Sequence, residues 1–145
     1  MTGEIELSIP VRVDYVQLVR AVVGSLAATN PELSTARIAD LRLVVSEALT
    51  NAIRAQEKNS ISERLYVLCK LTDSAIEVEV RDNATGFDVD LIQDLPPTES
   101  PERLKHERGL GLSIMREMSD GLEIKSGPDG TVVHMTINSS NSNNS

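Results

Sequence analysis

Residues 4–9, Glu-Ile-Glu-Leu-Ser-Ile, alternate polar with apolar, and that period of two predicts a half-buried strand. From Asp14 the spacing changes. Val16, Val19, Val22, Val23 and Leu26 share a helical stripe that stops at Asn30-Pro31. A longer helix is predicted next, capped by Ser34 or Thr35, with Ile38, Leu41, Val45, Ala48, Leu49 and Ala52 recurring at three- and four-residue steps. The polar run from Gln56 to Ser60 predicts that this helix frays there. Residues 64–71 and 75–80 then alternate again and predict an antiparallel hairpin turning at Thr72-Asp73-Ser74. Asp82-Asn83-Ala84-Thr85-Gly86 ends the second strand with residues that tolerate unusual backbone angles.

Residues 88–108 carry Pro96, Pro97 and Pro101, many charges and little apolar period, which predicts a mobile loop long enough to be functional. Gly109-Leu110-Gly111 opens a helix to about Ser119 whose buried side is Leu112, Ile114, Met115 and Met118. Residues 122–125 and 131–137 predict a last hairpin through Gly127-Pro128-Asp129-Gly130. The Asn/Ser tail, 138–145, is expected to be disordered, which leaves one domain over 1–137.

Composition narrows what this domain does. With 14 Lys and Arg against 22 Asp and Glu, the net charge is −8, so phosphate backbones are repelled and direct nucleic-acid binding is not expected. Three aromatics in all, Tyr15, Tyr66 and Phe87, supply no base-stacking platform. One cysteine, Cys69, excludes an internal disulfide framework and fits a reducing cytoplasm; its place on an apolar strand face reads as core. His106 and His134 stand far apart without ligand-spaced partners, which argues against zinc. No apolar run reaches membrane-spanning length and the N-terminus has no signal-peptide pattern, so no membrane association is expected.

Four small constellations carry candidate chemistry. Glu47 and Asn51 stand one turn apart on the long helix, so they share a face. An amide oxygen there can ligate Mg²⁺, and the carboxylate can accept a proton. Asp82, at a strand end, can accept a hydrogen bond from an exocyclic amine, and Gly86 permits close approach of backbone to a ligand. Arg108-Gly109-Leu110-Gly111-Leu112 combines a cation with a glycine pair at a helix start, where free N–H groups favour phosphates. Thr131, after Gly130, offers a hydroxyl at a strand start. Each has a bland explanation when taken alone: a solvated pair, an ordinary turn, a glycine-rich helix entry, a solvent-facing strand threonine. Neither the dinucleotide fingerprint nor the Gly-Lys-Ser/Thr phosphate loop is present.

In this order and on these elements, the four resemble the N, G1, G2 and G3 boxes of the GHKL ATP-binding superfamily. The wording Ser-Glu-Ala-Leu-Thr-Asn-Ala-Ile (46–53) and Gly-Leu-Gly-Leu-Ser-Ile-Met (109–115) is similar to bacterial anti-sigma-factor serine kinases of the RsbW type. The resemblance spans about residues 5–137. It implies an α/β two-layer sandwich of the GHKL (Bergerat) type, a mixed, mostly antiparallel sheet with helices on one face. It implies ATP and Mg²⁺, with Glu47 as general base, Asn51 as the Mg²⁺ ligand, Asp82 on the adenine amine and Gly86 lining the adenine pocket. Residues 88–108 would form the ATP lid; Gly109 and Gly111, with Leu110, Leu112 and Arg108 around them, would meet the phosphates, and Thr131 would lie near the adenine or its ordered water.

The implied function is a cytoplasmic, homodimeric anti-sigma factor of transcriptional (stress) regulation. Such a protein holds an RNA polymerase sigma factor and phosphorylates a serine on an anti-anti-sigma (STAS-domain) antagonist. The alternative is a sigma-binding module without catalysis. Two positions depart from the family's usual pattern: Ala84 replaces the first glycine of Asp-x-Gly-x-Gly, and Arg54-Ala55-Gln56 stands where a His-Gly pair is common.

Overall fold

The computed structural model describes residues 3–84 and 107–139, with backbone alone for 107–111. Strands β1 (Gly3–Ile9), β2 (Leu65–Leu71), β3 (Ala75–Asp82), β4 (Gly121–Gly127) and β5 (Gly130–Asn138) form a five-stranded sheet in the order β1-β2-β3-β5-β4. Every described pairing is antiparallel. Helices α1 (Tyr15–Ala28), α2 (Thr35–Lys58) and α3 (Glu107–Met118) supply the second layer. The expected two-layer α/β architecture, a mostly antiparallel sheet covered by helices, is the one observed.

The period-two strands explain which face is covered. Leu65, Val67, Cys69 and Leu71 of β2, Ile76, Val78 and Val80 of β3, and Val133, Met135 and Ile137 of β5 point into one core. Val19 and Val23 of α1, Leu41, Val45, Ala48 and Leu49 of α2, and Leu112 and Met115 of α3 close it from above. Removing each Leu or Val side chain from water contributes roughly 1.5–3 kcal/mol, so this interlayer seam supplies most of the driving force. Cys69 is fully buried, and burial pushes its thiol up to about 12, which keeps it an inert core residue. The opposite sheet face is polar; on it Arg81 bonds Glu79 and His134 Nε2 lies 3.0 Å from Glu77 Oε1.

Helix α2 is the central element, packed on α1, α3, β3 and β5. Ser34 caps it, accepting from the Arg37 amide at 3.1 Å. Asp14 precedes α1 as expected but makes no capping bond; its carboxylate pairs with Arg12 instead. The fraying expected from Gln56 does not occur. The helix continues to Lys58, because Gln56 is wholly buried and its amide is hydrogen-bonded. Arg37 bonds Asp40 and Asp120, and Asp120 accepts the Asn138 amide at 2.8 Å, fastening the start of α2 to the far strands.

Both hairpins form where the pattern puts them. Thr72 closes the first, its amide donating to the Ala75 carbonyl at 2.9 Å while its hydroxyl accepts from the Ala75 amide at 3.1 Å. The second turns through Pro128 and Asp129 between Gly127 and Gly130. Two boundaries shift. Helix α3 starts at Glu107, so Arg108 belongs to it rather than to the preceding loop. Strand β5 runs on through Asn138, and the Ser139 amide bonds the Ser74 carbonyl at 2.8 Å, so ordered structure passes residue 137. The rest of the expected loop, with Gly86 and His106, and residues 140–145 of the tail lie outside the described residues.

Candidate functional site

The predicted pieces sit on elements that meet. On α2, Glu47 is half-buried and Asn51 only 5% exposed, although both stand beside an apolar stripe. Asn51 Nδ2 is buried without a hydrogen-bond partner. Arg20 Nε, Asn30 Nδ2 and Arg37 Nε are likewise buried and unpartnered among the described residues; at Asn51 the open donor stands beside Glu47 and could meet a ligand acceptor. Helix α3 packs on α2; because it starts at Glu107, Gly109 closes its first turn and Leu110 and Gly111 lie inside it, so the glycine pair does not open the helix as expected. The side chains of Arg108 and Leu110 lie outside the described residues, while Leu112 is buried in the core.

Strand β3, which also packs on α2, delivers Asp82 in register opposite Thr131 of β5. Asp82 Oδ1 accepts the Ala84 amide at 2.9 Å and the Thr131 amide at 3.3 Å. Both bonds use one oxygen, and a carboxylate keeps a second for another donor. Asp82 is 7% exposed. Burial raises its pKa to about 6 and outweighs the two amides, which act the other way. A buried carboxylate with a perturbed pKa and no cation beside it among its described bonds is a candidate for binding a ligand donor.

Thr131 is 1% exposed rather than solvent-facing; its hydroxyl lies 3.0 Å from Ser126 Oγ and 3.4 Å from the Ala84 carbonyl. Gly130 adopts φ +143°, and a Cβ there would lie 2.1 Å from the Asp82 carbonyl oxygen. Only glycine lets β5 approach the end of β3 this closely. Ala84 is not strained: Ser60 is the non-glycine residue with positive φ among those described, so the extra methyl of Ala84 meets ordinary backbone geometry.

Two contributors escaped the pattern reading. Gln56 Oε1 accepts the Asn83 amide at 2.7 Å and Asn83 Nδ2 at 3.1 Å. A signal for Gln56 existed: Ala48, Ala52 and Gln56 are spaced i, i+4, i+8, so it continues a buried line. No such signal marks Asn83, whose partners come from α2 and from the Arg64 carbonyl at 2.9 Å.

These residues fit a magnesium-chelated purine nucleotide: an Asn51 amide on α2 whose oxygen could meet the cation and whose unpartnered Nδ2 could donate to a phosphate oxygen, and a buried acceptor at the strand end for an amine. Among the described residues, no group of three or more His, Cys, Asp or Glu side chains is placed to hold a metal ion. No described helix is long and apolar enough to cross a membrane.

Comparison with known proteins follows the same lines. Residues 9–137 match the model of the histidine kinase-like ATPase domain. The chain is similar to an anti-sigma F factor of Oceanobacillus iheyensis, 32% identical over 118 residues that cover 80% of this chain and 78% of that one. It is similar to the serine-protein kinase RsbW of Listeria innocua, 31% identical over 127 residues, 86% of this chain and 80% of the other. Among solved structures, the RsbU and RsbW domains of a Mycobacterium tuberculosis protein superpose with a TM-score of 0.68 at 18% identity, over 93% of this chain and 32% of that one.

Proposed function

Because the chain belongs to the histidine kinase-like ATPase domain family, alongside anti-sigma F factor and the serine-protein kinase RsbW, we propose that it is an anti-sigma factor with serine kinase activity. It binds an RNA polymerase sigma factor and uses Mg-ATP to phosphorylate a serine of an anti-anti-sigma (STAS-domain) antagonist, in the cytoplasm and as a homodimer. The observation that carries this reading is the buried Asp82 carboxylate, held by the Ala84 and Thr131 amides beside the helix that bears Glu47 and the unpartnered Asn51 amide.

The roles follow from the chemistry of each group. Asp82 accepts the adenine amine, with Thr131 beside it and Gly86 at the pocket wall. Asn51 would hold the magnesium ion together with the triphosphate. Bound there, the cation neutralises phosphate charge. The free amides of the first turn of α3, up to Gly109, and the Arg108 guanidinium meet the phosphate oxygens, and Gly111, with no side chain, leaves them room beside Leu110 and Leu112. Glu47 takes the proton from the partner's serine hydroxyl as the serine oxygen bonds the γ-phosphorus; the bond from that phosphorus to the β–γ bridging oxygen breaks and ADP leaves. Positioning and charge do most of the work in such a transfer, so a chain with no nucleophile of its own suffices.

The experiment is incorporation of labelled phosphate from ATP into the antagonist protein. Glu47→Ala is expected to keep ATP and sigma binding and to lose transfer by about 10²-fold or more. Transfer at the wild-type rate would remove Glu47 from the base role. Sigma binding by a wild-type protein that transfers no phosphate would leave a binding module.

A further inference from the structure

Gln56 is the one fully buried polar side chain of α2, and all of its bonding capacity is used. Its Nε2 donates to the Glu63 carbonyl at 2.7 Å and the Ile61 carbonyl at 3.4 Å, while its Oε1 takes both donors of Asn83. Exchanging the amide's oxygen and nitrogen would set oxygen against two carbonyls and N–H against N–H, so the orientation is unambiguous. The chain therefore runs from the helix that carries Glu47 and Asn51, through one side chain, to the residue after Asp82. From the other side the same segment is gripped by the Thr131 amide on Asp82 Oδ1 and by the close approach of Gly130 to the Asp82 carbonyl.

We propose that Gln56 is a positioning residue that sets the adenine-binding carboxylate at a fixed distance from the phosphate-handling face of α2, by locking Asn83 to the end of that helix. The inference rests on the reading of Asp82 as the adenine ligand. Both ends of one nucleotide must be met at once, and misplacing a reacting or binding group by about 1 Å can cost up to about 10²-fold. The Arg54-Ala55-Gln56 departure is on this view a different joint between helix and strand, made by a long buried amide.

The test compares ATP with inosine triphosphate, which lacks the exocyclic amine that Asp82 would accept. Dissociation constants for both are measured calorimetrically on the wild-type chain, Gln56→Leu and Asn83→Ala, with folding checked by circular dichroism. Wild type is expected to prefer ATP by about tenfold or more, because an analogue that leaves a buried polar group unpaired is rejected. Gln56→Leu should lose about tenfold in ATP affinity and change inosine triphosphate binding by less than about twofold, so the preference collapses. A general loss of structure would weaken both nucleotides alike.

Asn83→Ala keeps the main-chain bond to Gln56 and should give a partial collapse. If Gln56→Leu does not fold, Asn83→Ala decides. An unchanged preference in a folded variant overturns the positioning role alone. A wild-type chain with no preference overturns the reading of Asp82 and the positioning role with it.

Discussion

Asp82 carries two pH dependences of opposite sign. Its folded-state pKa of about 6 stands above its ordinary 3.8, so the native protein binds the proton more tightly than the unfolded chain does. The stability this contributes is fully present below about pH 3.8 and is lost as pH rises through about 6. At neutral pH the ionised carboxylate therefore costs on the order of 3 kcal/mol. Asp82→Asn, which retains an oxygen for the two amides, should recover much of that in a urea titration at pH 7.5 and little at pH 3.5. Nucleotide affinity runs the other way, because an amine needs the ionised acceptor. Calorimetry should show ATP binding weakening about tenfold per pH unit below pH 6, and the Asn variant should lack that slope. A gain in stability coupled to a loss of affinity is the mark of a binding residue held against its own solvation.

Gly130 is the residue at which backbone geometry, not chemistry, sets the site. Gly130→Ala places a methyl 2.1 Å from the Asp82 carbonyl at φ +143°. The strand must retreat or the strain must be absorbed, which should cost roughly 2–4 kcal/mol in chemical denaturation and also loosen Thr131. The Gly-Thr pair is visible in the sequence as a strand start. The contact that makes glycine necessary joins positions 48 residues apart and leaves no local trace.

At the scale of elements, helix ends are where composition and geometry part. Ser34 and Asp14 are equally good capping residues by type, yet only Ser34 accepts a backbone amide. Ser34→Ala should destabilise by about 1 kcal/mol, and Asp14→Ala, losing an exposed pair with Arg12, by no more than about 0.5 kcal/mol; paired urea midpoints check the contrast. The strands and the cores of all three helices are legible because periods of 2 and 3.6 are imposed by burial on one face. The end of α2 is not. Four polar residues after Gln56 look like solvent, and it is the partners beyond the helix, Ile61, Glu63 and Asn83, that turn that glutamine inward. The candidate site divides the same way. Glu47, Asn51, Asp82 and Thr131 stand out in the sequence because their types and order resemble the family's boxes, and the proposed nucleotide would use those groups. Gln56 and Asn83 are not, since they touch protein.

For the whole molecule, α2 is the beam on which everything else is hung: α1, α3, β3 and β5 all pack on it, and both proposed ends of the nucleotide refer to it. A ligand that bridges α2 and the end of β3 should therefore stabilise the entire fold rather than one loop. At 100 times its dissociation constant, Mg-ATP is expected to add about 2.7 kcal/mol, which for a domain of 145 residues raises Tm by roughly 8–12 °C. Thermal unfolding followed by calorimetry reads the shift directly. Glu47→Ala should show the full shift, since a proton acceptor for the incoming serine contributes nothing to holding ATP in the absence of that serine. Asp82→Asn should start from a higher Tm at neutral pH and gain much less on adding nucleotide. A chain whose Tm is indifferent to millimolar Mg-ATP would not bind the nucleotide between these elements. If Asp82→Asn gained as much as wild type, nucleotide would be held elsewhere on the molecule, and the buried carboxylate would owe its burial to packing alone.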